Sequence, residues 1–138
     1  MTENKIPEGY KRAAWTGRAE EMVGPFFYRK KENGRIETAF VAEARHCNGL
    51  KVVHGGILMT FGDYSITMQA LSGVSESCTT ISFNCEFAAP GHQGDLIEAN
   101  AEVLRRTGSL VFLRGKIFAD EQILLNYSAI VKRLRLEK

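Results

Sequence analysis

Hydrophobic residues recur at every third or fourth position along one stretch of the chain and at every second position along most of the rest. The helical repeat follows a glycine pair at 55–56 and ends near 70–73, where Ser72 and Gly73 favour a C-terminal stop. This is the one long helix that the pattern predicts. Its repeating apolar positions are Ile57, Phe61, Tyr64, Met68 and Leu71.

Alternating apolar and polar residues predict two strands before this helix. They cover 26–30 and 36–42 and are joined at Asn33-Gly34, the strongest short hairpin signal in the chain. Upstream of them, residues 1–24 are polar and mixed. A short helix over about 11–22, ended by Pro25, is predicted within that N-terminal extension.

The same alternation predicts four strands after the helix, and the short links between them predict an antiparallel meander. One apolar helix and one sheet of this size bury each other most simply if the sheet curls around the helix. We therefore predict an α+β hotdog fold, a curved antiparallel sheet of about five to six strands wrapped around one long central helix, as a single domain over 1–138. The last four predicted strands cover about 80–87, 96–106, 110–119 and 123–133.

Composition narrows the class of protein. The chain has 138 residues, of which 44% are hydrophobic and 25% charged, values typical of a globular protein. A net charge of +2 and the lack of an aromatic-basic motif argue against a nucleic-acid partner. No apolar signal core or membrane-length run is present, so we expect a cytoplasmic protein with no membrane partner.

The cysteines do not indicate a metal or disulfide site. Cys47, Cys78 and Cys85 are odd in number and lack CxxC spacing, so neither zinc nor a disulfide framework is predicted. Cys47 follows His46 directly, but adjacency in sequence does not make two side chains meet. We therefore do not predict a nucleophilic cysteine.

The glycine pair and the single acid of the helix carry the candidate chemistry. The first turn of a helix has amides without intrahelical partners, and Gly55 and Gly56 let another molecule approach those amides closely. The positive end of the helix suits a carbonyl oxygen that becomes negative. Asp63 follows Gly55 by eight positions, about 12 Å along a helix. One carbonyl cannot touch both groups, so a catalytic interpretation requires two protomers related by a two-fold axis. Edge-to-edge pairing of the sheets would also cover an exposed strand.

These residues resemble a known family. His46-x-Asn48, His54-Gly55-Gly56 and Asp63 nine positions after His54 are similar to the PaaI-type acyl-CoA thioesterases of the hotdog superfamily. The segments at 87–90 and 103–106 also resemble strand endings of that family, and the resemblance covers about 35–133.

The resemblance implies a role for each matching residue. Asp63 matches the catalytic carboxylate, a general base or nucleophile, and Gly55 matches the oxyanion amide. Asn48 and His54 match positions that hold the thioester near that amide from the opposite subunit, and Thr80 matches a position that helps to place the water. Gly56 and Arg105 are the predicted substrate-binding residues, with Arg105 near the phosphates of coenzyme A. The family often has glycine at the position of Lys51, and Gly49 is the candidate to supply the turn instead.

Each of these residues also has a simpler interpretation. Asp63 fits a solvated helix acid, although its apolar helical neighbours argue against that. The glycine pair fits a tight turn, Asn48 a turn residue that satisfies local backbone, and His54 a helix cap. Arg105 fits solvated surface. For Asn48 and His54 the residues alone do not decide between the two interpretations.

The function that we predict is hydrolysis of an acyl-CoA thioester to a free acid and coenzyme A, without a metal or organic cofactor. The expected assembly is a homodimer, with a dimer of dimers, a homotetramer, as the higher state. A non-catalytic acyl-CoA-binding hotdog module is the alternative, although residues 1–24 are too short for the DNA-binding helix-turn-helix that such regulators usually carry. A hotdog dehydratase ranks last, because the Gly pair and Asp63 follow thioesterase spacing.

Overall fold

The computed structural model describes residues 5–12, 18–72 and 77–134. Within these ranges one long helix is surrounded by strands, with one short helix and one 3-10 turn before it. The elements are β1 (Lys11–Arg12), α1 (Ala19–Val23), β2 (Phe27–Lys30), β3 (Ile36–Val41), a 3-10 turn (Ala44–His46), α2 (Gly55–Ala70), β4 (Ser77–Phe87), β5 (Leu96–Arg106), β6 (Leu110–Ala119) and β7 (Gln122–Leu134).

The strands form one antiparallel sheet in the order β1-β2-β3-β5-β6-β7-β4. The sheet is curved, and α2 packs against β3 to β7 on its inner face. The helix in a curled sheet was therefore predicted correctly, and α2 begins at the glycine pair and ends at Ala70 as expected. The sheet has seven strands instead of five to six, because the two-residue β1 pairs with β2.

The predicted four-strand meander is wrong in one connection. Strands β5, β6 and β7 follow each other, but β4 pairs with β7 and β5 pairs with β3. The link over 88–95 carries the chain across the sheet instead of forming a hairpin. Its backbone is fixed at both ends, since the Ala88 amide donates to the Leu124 carbonyl and the Gly94 amide donates to the Ala42 carbonyl.

Alternation along the strands places the core between sheet and helix. In β5, Ile97, Ala99 and Ala101 are buried while the intervening side chains are partly exposed. The helix is buried on most of its circumference because the sheet surrounds it. The predicted helix positions Phe61 and Tyr64 are 0% and 1% exposed, and Ile57 and Met68 pack at the margin of the core.

The N-terminal region differs from its prediction. Lys11 and Arg12 form β1 instead of the start of a helix, and the helix α1 covers only Ala19–Val23. The apolar residues at 13–15 and the predicted helix stop at Gly73 lie outside the described residues. The Asn33-Gly34 hairpin is confirmed, with Gly34 at a φ of 85° that a glycine adopts without strain.

Strand β4 is an edge of the sheet, and two of its apolar side chains are exposed. Ile81 and Phe87 are 55% and 54% exposed. The pairing of β4 with β7 shifts between Thr80 and Ser82, so Ile81 is the extra residue of a bulge. An edge of eleven residues with exposed apolar groups is a surface that proteins usually cover. Among the described residues, no helix combines the length and apolar character needed to cross a membrane.

Candidate active site

The start of α2 presents one amide that is not used by the helix or its cap. His54 is the N-cap, with extended backbone angles, and its Nδ1 accepts a hydrogen bond from the Gly56 amide at 2.9 Å. The amides of Ile57 and Leu58 donate to the His54 carbonyl oxygen. Within the described residues, the Gly55 amide makes no hydrogen bond. His54 therefore accepts the hydrogen bonds of the Gly56, Ile57 and Leu58 amides. The Gly55 amide remains available at the positive end of the helix.

An open groove of about 470 Å³ lies beside this amide. Gly55 and Leu58 form one wall, residues 87–91 form another, and the loop before α2 closes the third side. The Phe87 ring rests on the backbone of Gly55, since an ideal Cβ on that glycine would lie 3.0 Å from the ring Cζ. A side chain at position 55 would have to displace the ring, so the glycine makes this close approach possible.

The second part of the site lies further along α2. The Thr80 hydroxyl donates to Oδ1 of Asp63 at 2.6 Å, a short bond typical of a charged acceptor. Both side chains are half-buried. Burial raises the pKa of the neighbouring Cys78 thiol, and the Asp63 carboxylate raises it further. The bulge that follows Thr80 lies where β4 passes Asp63. The sequence thus places Asp63 and Thr80, which are 17 positions apart, in direct contact.

These two parts do not meet within one protomer. Gly55 and Asp63 belong to the same helix, eight residues apart, which corresponds to about 12 Å. A substrate carbonyl that accepts from the Gly55 amide is therefore out of reach of the Asp63 carboxylate of the same chain.

Asn48 lines the groove, but its side-chain oxygen is already hydrogen-bonded within the local turn. Oδ1 accepts from the amides of Leu50 and Val52 at 2.9 and 3.3 Å. Lys51 completes that turn with a φ of 63°, a left-handed conformation that favours glycine. Gly49 does not supply the turn, because its φ is not positive. The loop therefore keeps the shape of a glycine turn with a lysine at the strained position.

Replacing Lys51 by glycine should relieve this strain. The left-handed conformation costs about 1 kcal/mol for an ordinary residue, and glycine would remove that cost. Glycine also loses more conformational entropy on folding, which lowers the free energy of unfolding by about 0.5–1 kcal/mol. We expect Lys51→Gly to leave the free energy of unfolding unchanged or slightly raised, as measured by denaturant titration. The matched Lys116→Gly change in β6 should lower it by about 0.5–1 kcal/mol. Equal losses for both variants would contradict this prediction.

His46 and Cys47 have structural contacts. The His46 side chain is 2% exposed, its Nδ1 accepts from the Glu43 amide and its Nε2 bonds to the Val23 carbonyl. Its own carbonyl accepts from the His54 amide, so it fixes the approach to the N-cap. The Cys47 thiol donates to the Glu43 carbonyl, and burial raises its pKa, which disfavours the reactive thiolate.

Arg105 is exposed and lies at the other end of α2. The neighbouring Arg106 donates to the Ala70 carbonyl at 3.0 Å, which places this end of β5 at the C-terminus of the helix. Gly55 and Ala70 are the first and last residues of α2, about 22 Å apart. Arg105 and Gly55 are therefore not brought together within one protomer. Phe87, by contrast, touches Gly55 and was not predicted as a site residue; the one signal in the sequence was the resemblance of the segment 87–90 to a strand ending of the family.

Comparison with known proteins gives the class. Residues 50–125 match the family model described as the thioesterase superfamily, which is more than half of the 138 residues, so the chain belongs to that superfamily. A provisional esterase of Pseudomonas aeruginosa, PA0474, is 22% identical over 127 residues, covering 91% of this chain and 95% of that protein.

Solved structures share the hotdog fold. The thioesterase HI1161 of Haemophilus influenzae has a TM-score of 0.80 at 13% identity, with 89% of this chain and 87% of that chain covered. The PaaI protein of Escherichia coli has a TM-score of 0.77 at 18% identity, with 86% of each chain covered. The BH2602 protein of Bacillus halodurans, solved with CoA, has a TM-score of 0.72 at 22% identity, covering 80% of this chain and 74% of that one. The predicted fold class and the resemblance to PaaI-type thioesterases are confirmed.

Proposed function

We propose that this protein hydrolyses acyl-CoA thioesters at a site shared between two protomers. The observation that carries the proposal is the division of the site: an unused amide beside an apolar groove at Gly55, and a carboxylate held by Thr80 about 12 Å further along the same helix. Neither part suffices for hydrolysis, which needs both a donor for the oxyanion and a base or nucleophile. The membership of the thioesterase superfamily supports the choice of a thioester.

The exposed edge of β4 supplies a way to join the two parts. Thr80, which holds Asp63, lies near one end of β4, and Phe87, which touches Gly55, is its last residue. The two residues are seven positions apart, or about 23 Å along a strand. Because Ile81 is the extra residue of the bulge, antiparallel pairing of β4 with its copy, centred on Asn84, would set Thr80 of one protomer opposite Phe87 of the other. The carboxylate of one protomer would then approach the free amide of its partner, and the exposed Ile81 would be covered.

The chemistry then follows from these groups. The carbonyl oxygen of the thioester accepts from the Gly55 amide, and the helix N-terminus stabilises the negative charge that develops there. Asp63 of the partner takes a proton from water while the water oxygen bonds to the carbonyl carbon. The C–S bond then breaks, and Asp63 gives the proton to the departing thiolate. In the covalent variant, the carboxylate itself attacks and water hydrolyses the resulting anhydride. Label in the carboxylate of Asp63 after a single turnover in labelled water would show the covalent route, because the general-base route leaves none there.

The proposal that coenzyme A is the thiol part of the substrate rests on other observations. The Bacillus halodurans neighbour was solved with CoA. In this chain, Arg105 is the proposed phosphate contact, an exposed side chain at the opposite end of α2 from Gly55. We propose no metal or organic cofactor. Loss of substrate affinity and of its salt dependence in Arg105→Ala would support this contact.

Thr80 is proposed as a positioning residue that acts through Asp63. A hydrogen bond to a charged group contributes about 1.5–3 kcal/mol, so Thr80→Val should lower kcat by roughly 10- to 150-fold with little change in KM. Thr80→Ser keeps the hydroxyl and should restore most of the rate. If Thr80→Ser were as slow as Thr80→Val, the retained hydroxyl would not support catalysis, and this role would be wrong.

Release of free thiol from a panel of acyl-CoAs tests the function directly. We expect thiol release from at least one class of acyl group, and a dimer by light scattering under the same conditions. Binding of acyl-CoA without thiol release would favour the non-catalytic binding module instead. A monomer that hydrolyses thioesters at full rate would contradict the shared site. A dimer of dimers remains our proposal for the higher assembly and is measured in the same light-scattering experiment.

A further inference from the structure

Phe87 lies at the point where a substrate would enter the groove beside Gly55. An ideal Cβ on Gly55 would lie 3.0 Å from Cζ and 3.1 Å from Cε1 of the ring. The ring is thus in contact with the residue whose amide is the proposed oxyanion donor. More than half of Phe87 is exposed, 54%, and its exposed part lines the groove. An aromatic side chain in this position narrows the space next to the reacting carbonyl.

Apart from Asn48, the side chains that line the rest of the groove are apolar. No charged side chain of the described residues lines it, and the one polar side chain, Asn48, already accepts two backbone hydrogen bonds. Within this protomer, a charged acyl group would find no charged side-chain partner in the groove. The volume of about 470 Å³ suits a small ligand. The larger apolar side chains beside Phe87 are Val52, Val53, Leu58 and Pro90.

We propose that Phe87 determines substrate specificity by disfavouring acyl groups branched at the carbon next to the thioester carbonyl, so that the preferred substrates carry uncharged, unbranched acyl chains. This inference rests on the proposed function. A carbonyl oxygen hydrogen-bonded to the Gly55 amide lies about 2.9 Å from its nitrogen, which is about 1.5 Å from the Cα that the ring covers. The first acyl carbon therefore lies beside the ring, and a methyl branch on that carbon would collide with it.

Pairs of isomeric substrates test whether Phe87 disfavours branched acyl groups, because the two isomers have the same charge and the same number of atoms. Butyryl-CoA against isobutyryl-CoA, and longer straight chains against their 2-methyl isomers, are compared by thiol release. We expect the wild type to favour the straight isomer by about tenfold or more in kcat/KM, the usual effect of one misplaced methyl group. Phe87→Ala should bring the ratio close to one, and Phe87→Leu should give an intermediate value.

Leu104→Ala is the control for Phe87→Ala. Leu104 is also 54% exposed but lies on β5 outside the groove, so Leu104→Ala should leave the ratio unchanged. The ratio is internal to one preparation, so a partly unfolded or weakly dimeric variant lowers both rates and leaves it unaltered. A wild-type ratio near one, or an equal loss for both isomers in Phe87→Ala, would overturn the inference while hydrolysis persists. A wild type that releases no thiol from any acyl-CoA would instead overturn the proposed function, and this inference with it.

Discussion

Asp63→Asn should abolish most of the thioester hydrolysis while leaving the fold intact. The substituted side chain keeps an oxygen that accepts from the Thr80 hydroxyl, so the contact between α2 and β4 persists. It loses the negative charge that takes the proton from water or attacks the carbonyl. General-base catalysis contributes about 10²- to 10⁴-fold, and we expect kcat to fall by that factor with KM little changed, as measured by thiol release.

Asp120→Asn is the matched control for this change. Asp120 is exposed in the turn between β6 and β7 at a φ of 53°, a conformation that asparagine tolerates. The same chemical change there should leave thiol release and the free energy of unfolding unaltered. If Asp63→Asn released thiol at the wild-type rate, the carboxylate would be a solvated helix acid and the proposed mechanism would fail.

The fold could be predicted because periodicity reports burial. Strands β5 and β6 begin and end where their alternation predicted, and α2 starts at the glycine pair. The position of β4 could not be predicted in this way, because alternation shows which face is buried but not which strand is the neighbour. The long link over 88–95 was the signal against a hairpin, and the pairing of β3 with β5 is a long-range contact that no local pattern encodes.

The candidate site was predictable only in its local parts. The glycine pair marks a helix start, and the spacing to Asp63 fixes the distance between amide and carboxylate. The contact of Thr80 with Asp63 depends on a bulge in an edge strand, and the contact of Phe87 with Gly55 joins residues 32 positions apart. Both depend on tertiary packing. The use of the Asn48 side chain by its own turn likewise required the loop conformation, in which Lys51 adopts the left-handed angle.

Gly55→Pro should remove the oxyanion donor with little damage to the helix. Position 55 is the first helical residue after the N-cap, where proline is favoured, and His54 already has the extended angles, φ −60° and ψ 133°, that a following proline requires. The substitution deletes the one amide that the cap leaves unused. Loss of one oxyanion donor lowers kcat by about 10²- to 10³-fold, and we expect a loss of that size in thiol release. Gly55→Ala adds a Cβ against Phe87 but keeps the amide, so it should retain more activity than Gly55→Pro.

Combining the two inactive variants then shows whether the site is shared. In a heterodimer of Gly55→Pro with Asp63→Asn, one site receives both defects and the other receives an intact amide from one protomer and an intact carboxylate from the other. Co-expression with two affinity tags, followed by purification on both, isolates this heterodimer. We expect about half of the wild-type activity per dimer, since one of two symmetry-related sites is restored. If each protomer instead carried its own complete site, both sites of the heterodimer would be defective. Its activity would then stay at the low level of the two parent variants, which would contradict the division of the site between Gly55 and the Asp63 of a partner.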